Sequence, residues 1–217
     1  MGGALTVPAT ALLRGLADLF VVFSLALLVV RPALWSIGLL AAQAAVLAVI
    51  AVVAAPGAGG WVAAGVIVLT KVLGIPLVLQ WVARRTGSED AVDWSAPWAW
   101  LVGAGIVLVV RLALPTYTAG LNPRHAVLLG TAVLVLLLGL AGMVSGRLLL
   151  AQAVHLVVIE NGLYCAGLAL TGGLPAALEL GAAVDLLLVI FVLAWLSHHV
   201  HRLQLPLRVD ELRRLRG

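Results

Sequence analysis

The sequence has few charged residues and almost no cysteine, and each shortage excludes a class of protein. Only 10% of the 217 residues are charged, whereas 64% are hydrophobic. A soluble domain is nearer half apolar and a quarter charged. The single cysteine, Cys165, excludes an internal disulfide and any cysteine-based metal cluster. The sequence also lacks a glycine-rich phosphate loop and a nucleophile–base constellation, so we expect no cofactor, metal site or active site of its own.

The net charge of +4 is of the sign that nucleic-acid-binding proteins show. Here, however, the arginines cluster at the ends of apolar segments, which predicts contact with a lipid bilayer and not with nucleic acid. A histidine cluster (His198, His199 and His201) lies where the last apolar segment ends. Three histidines together could bind a metal ion, but we favour interfacial residues, because no acidic or cysteine ligand accompanies them at helical spacing.

Apolar segments of about the ~20 residues that a bilayer-crossing helix needs follow one another along the chain. We count seven, separated by proline, glycine and polar residues, and we predict an all-α, polytopic integral membrane protein with a single membrane domain, 1–217. The predicted spans are 8–30, 34–55, 61–83, 98–114, 125–144, 148–170 and 176–198.

The distribution of arginine predicts the orientation, because Lys and Arg concentrate in cytoplasmic loops. One side of the membrane has only Arg124 in its loops, and three cations (Arg14, Lys71 and Arg111) lie inside spans. The other side has Arg31, Arg84, Arg85, Arg147, Arg202, Arg208, Arg213, Arg214 and Arg216. With seven spans, this asymmetry predicts a cytoplasmic C-terminus and an N-terminus outside.

Two carboxylates lie well inside apolar spans, Glu160 in the sixth and Asp185 in the seventh. At ~1.5 Å per residue, both lie about 15 Å from the short connection at 171–175, which is half of a ~30 Å hydrocarbon core. A carboxylate at this depth is costly and by default indicates a proton, ion or partner site. The alternative is that both carboxyl groups only hold helices together by hydrogen bonds.

The same count brings Asp18, Gln43 and Lys71 close to that plane, which predicts a lateral polar track across the middle of the membrane. Lys71 needs a carboxylate from another helix or subunit, and Glu160 and Asp185 are the candidates in this chain. Pro76, five residues after Lys71, permits a local bend beside it.

Asp18 and His155 have two interpretations each. Arg14 and Asp18 are spaced i, i+4 and could simply neutralise each other, or Asp18 could take part in proton transfer. His155 lies five residues before Glu160, toward the cytoplasm. It could relay protons to Glu160, or it could serve only helix packing.

Several segments resemble the hydrogenase-4 component E family: Glu160-Asn161-Gly162, Ala183-Val184-Asp185, the stretch TKVLGIPL around Lys71 and the terminal VDELRRLRG. Residues 125–217 also resemble the small three-helix membrane subunit of respiratory complex I, whereas residues 1–124 form a four-helix part without a counterpart there. That subunit carries one acidic residue in each of two adjacent helices, which align with Glu160 and Asp185. It usually has Glu at the second position, so Asp185 is a departure.

The resemblance implies a non-catalytic membrane-arm subunit of a complex I-like assembly, such as a membrane-bound [NiFe]-hydrogenase or formate hydrogenlyase, in the bacterial cytoplasmic membrane. Its partners would be antiporter-like and other membrane subunits, and Glu160, Asp185, Lys71, His155 and Asp18 would relay protons or Na⁺ between them. Two other functions remain open. One is an autonomous small transporter or channel, although no inverted repeat supports it. The other is a purely structural scaffold.

Overall fold

The computed structural model describes residues 6–30, 32–85, 98–146 and 148–171, together with residue 191. The predicted seventh span (176–198) lies outside the described residues except at position 191. Asp185, the three clustered histidines and the arginine-rich tail also lie outside them. The count of seven spans and the orientation of the termini therefore stay predictions.

The described part of the chain is helical, and its six long helices correspond to the first six predicted spans. They are α1 (Thr6–Val29), α2 (Ala33–Ala54), α3 (Ala58–Arg85), α4 (Ala99–Thr118), α5 (Pro123–Ser145) and α6 (Leu149–Thr171). All six are long and apolar enough to cross a bilayer. The prediction of an all-α protein, with helices long and apolar enough to cross a bilayer, is thus confirmed for these segments.

Two helices differ from the expected spans. The fourth span was predicted to end at Leu114 because Pro115 follows, but α4 continues through Pro115 to Thr118. Pro115 lacks an amide hydrogen, so one backbone hydrogen bond is lost, but in the last turn this loss does not end the helix. The third helix is not uniformly α-helical, because Val68–Gly74 in its middle forms a π-helix.

The α2–α3 connection is a tight turn, and glycine makes it possible. Gly57 has φ +126°, a conformation that side-chain-bearing residues rarely adopt. A Cβ on Gly60 would collide with the backbone carbonyl of Ala55, so α3 starts directly against the end of α2. The turn therefore makes α2 and α3 antiparallel neighbours over their length.

The helices pack around α2 and α5. The most extensive packing is between α5 and α6, α2 also contacts α1, α3 and α6, and α5 also contacts α1 and α4. Of the six helices, α4 has the smallest buried share. The carboxylate-bearing helix α6 is therefore held between α2 and α5, whereas α4 lies at the edge.

Glycines bring α5 and α6 close together. A Cβ on Gly139 would lie 2.7 Å from Ile159 Cγ1, and a Cβ on Gly162 would lie 2.9 Å from Leu136 Cγ. A Cβ on Gly142 would overlap the imidazole ring of His155. Small residues at such contacts let helix backbones approach, which is the main source of packing energy between helices in lipid. The backbones of α5 and α6 therefore lie in close contact.

Candidate functional site

The π-helix of α3 carries the lysine of the site. Pro76 has no amide hydrogen, and its ring disfavours a regular α-helical turn before it. In the widened segment Val68–Gly74, the Ile75 amide donates to the carbonyl of Thr70, five residues earlier. Lys71 lies in the middle of this segment and is only 3% exposed. Such π-bulges are frequent at functional sites because they reorient one side chain.

Lys71 forms a buried ion pair with Glu160 on α6. Its Nζ lies 2.7 Å from Glu160 Oε1. The same Nζ lies 5.3 Å from the ring centroid of Tyr164, one turn further along α6, within the range of a cation–π interaction. Among the described residues, Glu160 therefore supplies a carboxylate of the kind that Lys71 was expected to need.

A string of buried polar side chains extends from Lys71 through four hydrogen bonds. Lys71 Nζ donates to Asn161 Oδ1 at 3.1 Å, and Asn161 Nδ2 donates to Gln43 Oε1 at 3.2 Å. Gln43 Nε2 donates to Ser24 Oγ at 2.7 Å, and Ser24 Oγ donates to the carbonyl of Phe20 at 2.9 Å. The string joins α3, α6, α2 and α1 and ends on a backbone oxygen.

The members of this string have different chemical capacities. Side-chain amides such as those of Asn161 and Gln43 donate and accept hydrogen bonds but do not titrate. The ammonium of Lys71 and the carboxyl of Glu160 each hold or release a proton. The string therefore positions Lys71, whereas a proton can be exchanged only at the Lys71–Glu160 end.

Two buried polar atoms near the site have no hydrogen-bond partner among the described residues: Glu160 Oε2 and His155 Nδ1. Both belong to α6, and because neither has a partner, these two atoms are not bonded to each other. The Nδ1–Cε1 edge of His155 lies against Gly142 of α5, and the residue also borders a cavity of about 20 Å³ between α1, α2 and α6. Such a cavity has room for about one water molecule.

Asp18 lies apart from this site. It pairs with Arg111 of α4, and both side chains are half exposed, at 56% and 52%. The interpretation that Arg14 and Asp18 neutralise each other is therefore wrong in the part of the chain that the structure describes. Sequence spacing shows only the neighbours on one helix, whereas the packing of α4 against α1 supplies a closer cation.

The structure thus connects three of the expected polar residues, Lys71, Glu160 and Gln43, and places His155 and Asp18 elsewhere. Sequence reasoning missed the roles of Asn161 and Ser24. Asn161 follows Glu160 directly, so the same depth count would have found it. Ser24 has no such signal, because Ser in a transmembrane helix commonly bonds only to its own backbone.

The arrangement defines a class of protein: a polytopic helical membrane protein with a buried Lys–Glu pair between two of its spans. The chain is 31% identical to hydrogenase-4 component E of Escherichia coli (strain K12) over 163 residues, which are 72% of this chain and 73% of that protein. The Shigella flexneri protein of the same name has the same values. An uncharacterized protein of Mycobacterium tuberculosis is 30% identical over 71% of this chain and 72% of its own length.

The chain therefore belongs to the hydrogenase-4 component E family. No family model and no solved structure matches it. The resemblance of residues 125–217 to the complex I subunit stays a prediction.

Proposed function

We propose that this protein is a non-catalytic membrane subunit of a membrane-bound hydrogenase assembly in the bacterial cytoplasmic membrane. The name of its relatives, hydrogenase-4 component E, supports membership of such an assembly. The six apolar helices support a membrane location. The partners would be the other membrane subunits, among them the antiporter-like subunits of a complex I-like arm.

Within this assembly, the protein passes protons between neighbouring subunits, and the observation that carries this proposal is the Lys71–Glu160 pair. A proton can move from the ammonium to the carboxylate across 2.7 Å, which converts the ion pair into a neutral amine and a neutral acid. Neither form leaves a net charge in the apolar interior, so the two forms are closer in free energy than for an isolated charge. Glu160 Oε2, which Lys71 does not occupy, is the position from which a second group could take or deliver the proton.

The remaining candidates complete the route. Asp185, outside the described residues, is the next carrier that we propose beyond Glu160. His155, with its unpartnered Nδ1 and adjacent water-sized cavity, is the proposed link to the cytoplasmic side. Asp18, bonded to Arg111, would join the route only through groups of another subunit. The transported ion could also be Na⁺, because a carboxylate oxygen can either bind a proton or coordinate Na⁺.

The structure also favours one alternative, a scaffold that only holds helices together. The string from Lys71 to Ser24 ends on a backbone carbonyl and contains two amides that do not titrate. A purely structural network would have these features, and in that case the ion pair would serve α3–α6 docking alone.

The test compares variants of the intact complex in sealed membrane vesicles. Glu160→Gln keeps the shape and most hydrogen bonding of the side chain but cannot release a proton, and Lys71→Met removes the cation. Under the relay proposal, Glu160→Gln abolishes coupled proton movement while subunit composition and the redox half-reaction are unchanged. Lys71→Met also lowers coupled proton movement while the complex still assembles.

Thr131→Val is the matched control. Its hydroxyl is also buried in a span but bonds only to the carbonyl of Val127 in its own helix, so we expect normal proton movement. Full proton movement in an assembled Glu160→Gln complex would contradict the relay and leave the scaffold as the function.

A further inference from the structure

A second charged cluster, separate from the Lys71 site, lies on the face formed by α1 and α4. We call it the Arg14 cluster: it consists of Arg14, Asp18 and Arg111. A half-open cavity of about 360 Å³ between α1, α4 and α5 borders all three residues. None of them contributes to the Lys71–Glu160 string.

The cluster carries one uncompensated positive charge. Asp18 pairs with Arg111. Arg14 is exposed and has no ion-pair or hydrogen-bond partner among the described residues. The cluster thus holds two guanidinium groups and one carboxylate, and only Arg111 pairs with that carboxylate.

The depth of the cluster shows why this face needs a cover. The 24 residues of α1 span ~36 Å, about 6 Å more than a ~30 Å hydrocarbon core. With α1 centred in the core, Asp18 lies roughly 15 Å below the surface, near the middle of the membrane. Its side chain is 56% exposed. Charged groups at this depth face protein or water and not lipid chains.

Exposed apolar side chains lie beside the cluster on both helices. Val22 follows Asp18 by one turn of α1 and is 56% exposed, and Leu108 precedes Arg111 by one turn of α4 and is 61% exposed. Among the six described helices, α4 also has the smallest buried share. The face therefore combines exposed apolar side chains with a net positive charge inside the span.

We propose that the Arg14 cluster docks a transmembrane helix of a neighbouring subunit that carries an Asp or Glu side chain, whose carboxylate pairs with Arg14. Charge complementarity favours this occupant over a second copy of the chain, since two such faces would bring two positive clusters together. The exposed Asp18–Arg111 pair at mid-depth favours it over a lipid headgroup, because a phosphate outside the hydrocarbon core would leave that pair facing lipid chains. The proposal rests on the proposed function in that the chain must be part of a larger membrane assembly.

The test places a photoreactive amino acid, p-benzoylphenylalanine, at Val22 in the intact complex in native membranes. The matched control position is Leu69 of α3, which is also apolar and exposed (68%) but lies on another helix. We expect the Val22 adduct to map to a transmembrane segment of another subunit with an Asp or Glu within about two turns. Arg14→Glu abolishes this adduct, Arg14→Lys retains it, and the adduct pattern at Leu69 is unchanged by either.

Reversing the partner's acid to Arg in the Arg14→Glu background should then restore the adduct, which separates a broken charge pair from a misfolded chain. The docking proposal is overturned by an adduct to lipid alone, to a second copy, or to residues 176–198 of this chain. It is also overturned by an adduct that survives Arg14→Glu. Each of these outcomes in an assembled complex leaves the proposed function intact, whereas a chain that purifies from native membranes without any other subunit contradicts the proposed function itself.

Discussion

Asn161 connects Lys71 to the rest of the protein: its Oδ1 accepts a hydrogen bond from Lys71 Nζ at 3.1 Å. Because its Nδ2 donates to Gln43, the amide is fully oriented and holds the ammonium beside Glu160. A lysine on a widened helical turn would otherwise have several side-chain rotamers available. The ion pair therefore depends on an amide contributed by the same helix as its carboxylate.

The first prediction concerns this amide. Asn161→Leu keeps the approximate volume but removes both hydrogen bonds, so Gln43 Oε1 loses its donor and Lys71 loses an acceptor. Leaving buried polar groups unsatisfied costs about 1–3 kcal/mol each. We expect a clear fall in the thermal unfolding midpoint of the purified protein in detergent. Thr131→Val, which breaks no bond between helices, should change the midpoint little, and equal midpoints for the two variants would contradict this role of Asn161.

The second prediction concerns the ion pair as a coupled unit. Lys71→Met leaves the Glu160 carboxylate without its cation, and removal of one partner of a buried pair costs about 3–5 kcal/mol. The double variant Lys71→Met/Glu160→Gln removes both charges of this pair and should be more stable than Lys71→Met alone. Thermal unfolding of the two single variants and the double variant gives the coupling energy. Additive effects would show that the two side chains do not act as a pair.

The third prediction concerns the contact between α5 and α6. In Gly142→Ala the new methyl group would overlap the His155 ring, so the ring or the helix must move. Overpacking of this kind costs about 1–3 kcal/mol. The matched control is Gly105→Ala on α4, where the Cβ meets nothing within 4 Å. Alanine is the better helix former, so this control should be neutral or stabilising. A Gly142→Ala protein with an unchanged unfolding midpoint would contradict the close packing.

The fourth prediction concerns orientation. In a Cys165→Ser background, Ala58→Cys in the α2–α3 turn should react with a membrane-impermeant maleimide in intact cells. Gly217→Cys should react only after permeabilisation, because nine arginines against one predict a cytoplasmic C-terminus. Cys165 is buried, so its removal should not affect labelling at either site. Labelling of both positions from the same side would contradict seven spans with this orientation.

Sequence alone determined the helical segments of the described chain to within a few residues. Hydropathy is a property of one segment at a time, and in a bilayer an apolar run of sufficient length satisfies its backbone only as a helix. The depth of a residue in the membrane, estimated from residue count and helical rise, predicted that Lys71, Gln43 and Glu160 lie close to one plane. The same local reasoning failed at α3, where Pro76 indicated a bend but not the π-helix that carries Lys71.

Only the tertiary structure decided which side chains meet. Depth did not show that Glu160 contacts Lys71, and i, i+4 spacing offered Arg14 as a partner of Asp18. The packing of α6 between α2 and α5 directs Glu160 and Asn161 toward Lys71 of α3. The packing of α4 against α1 brings Arg111 into contact with Asp18. Partner choice depends on the rotation and separation of whole helices. These follow from side-chain contacts such as Gly142 against His155, which no single segment of sequence contains.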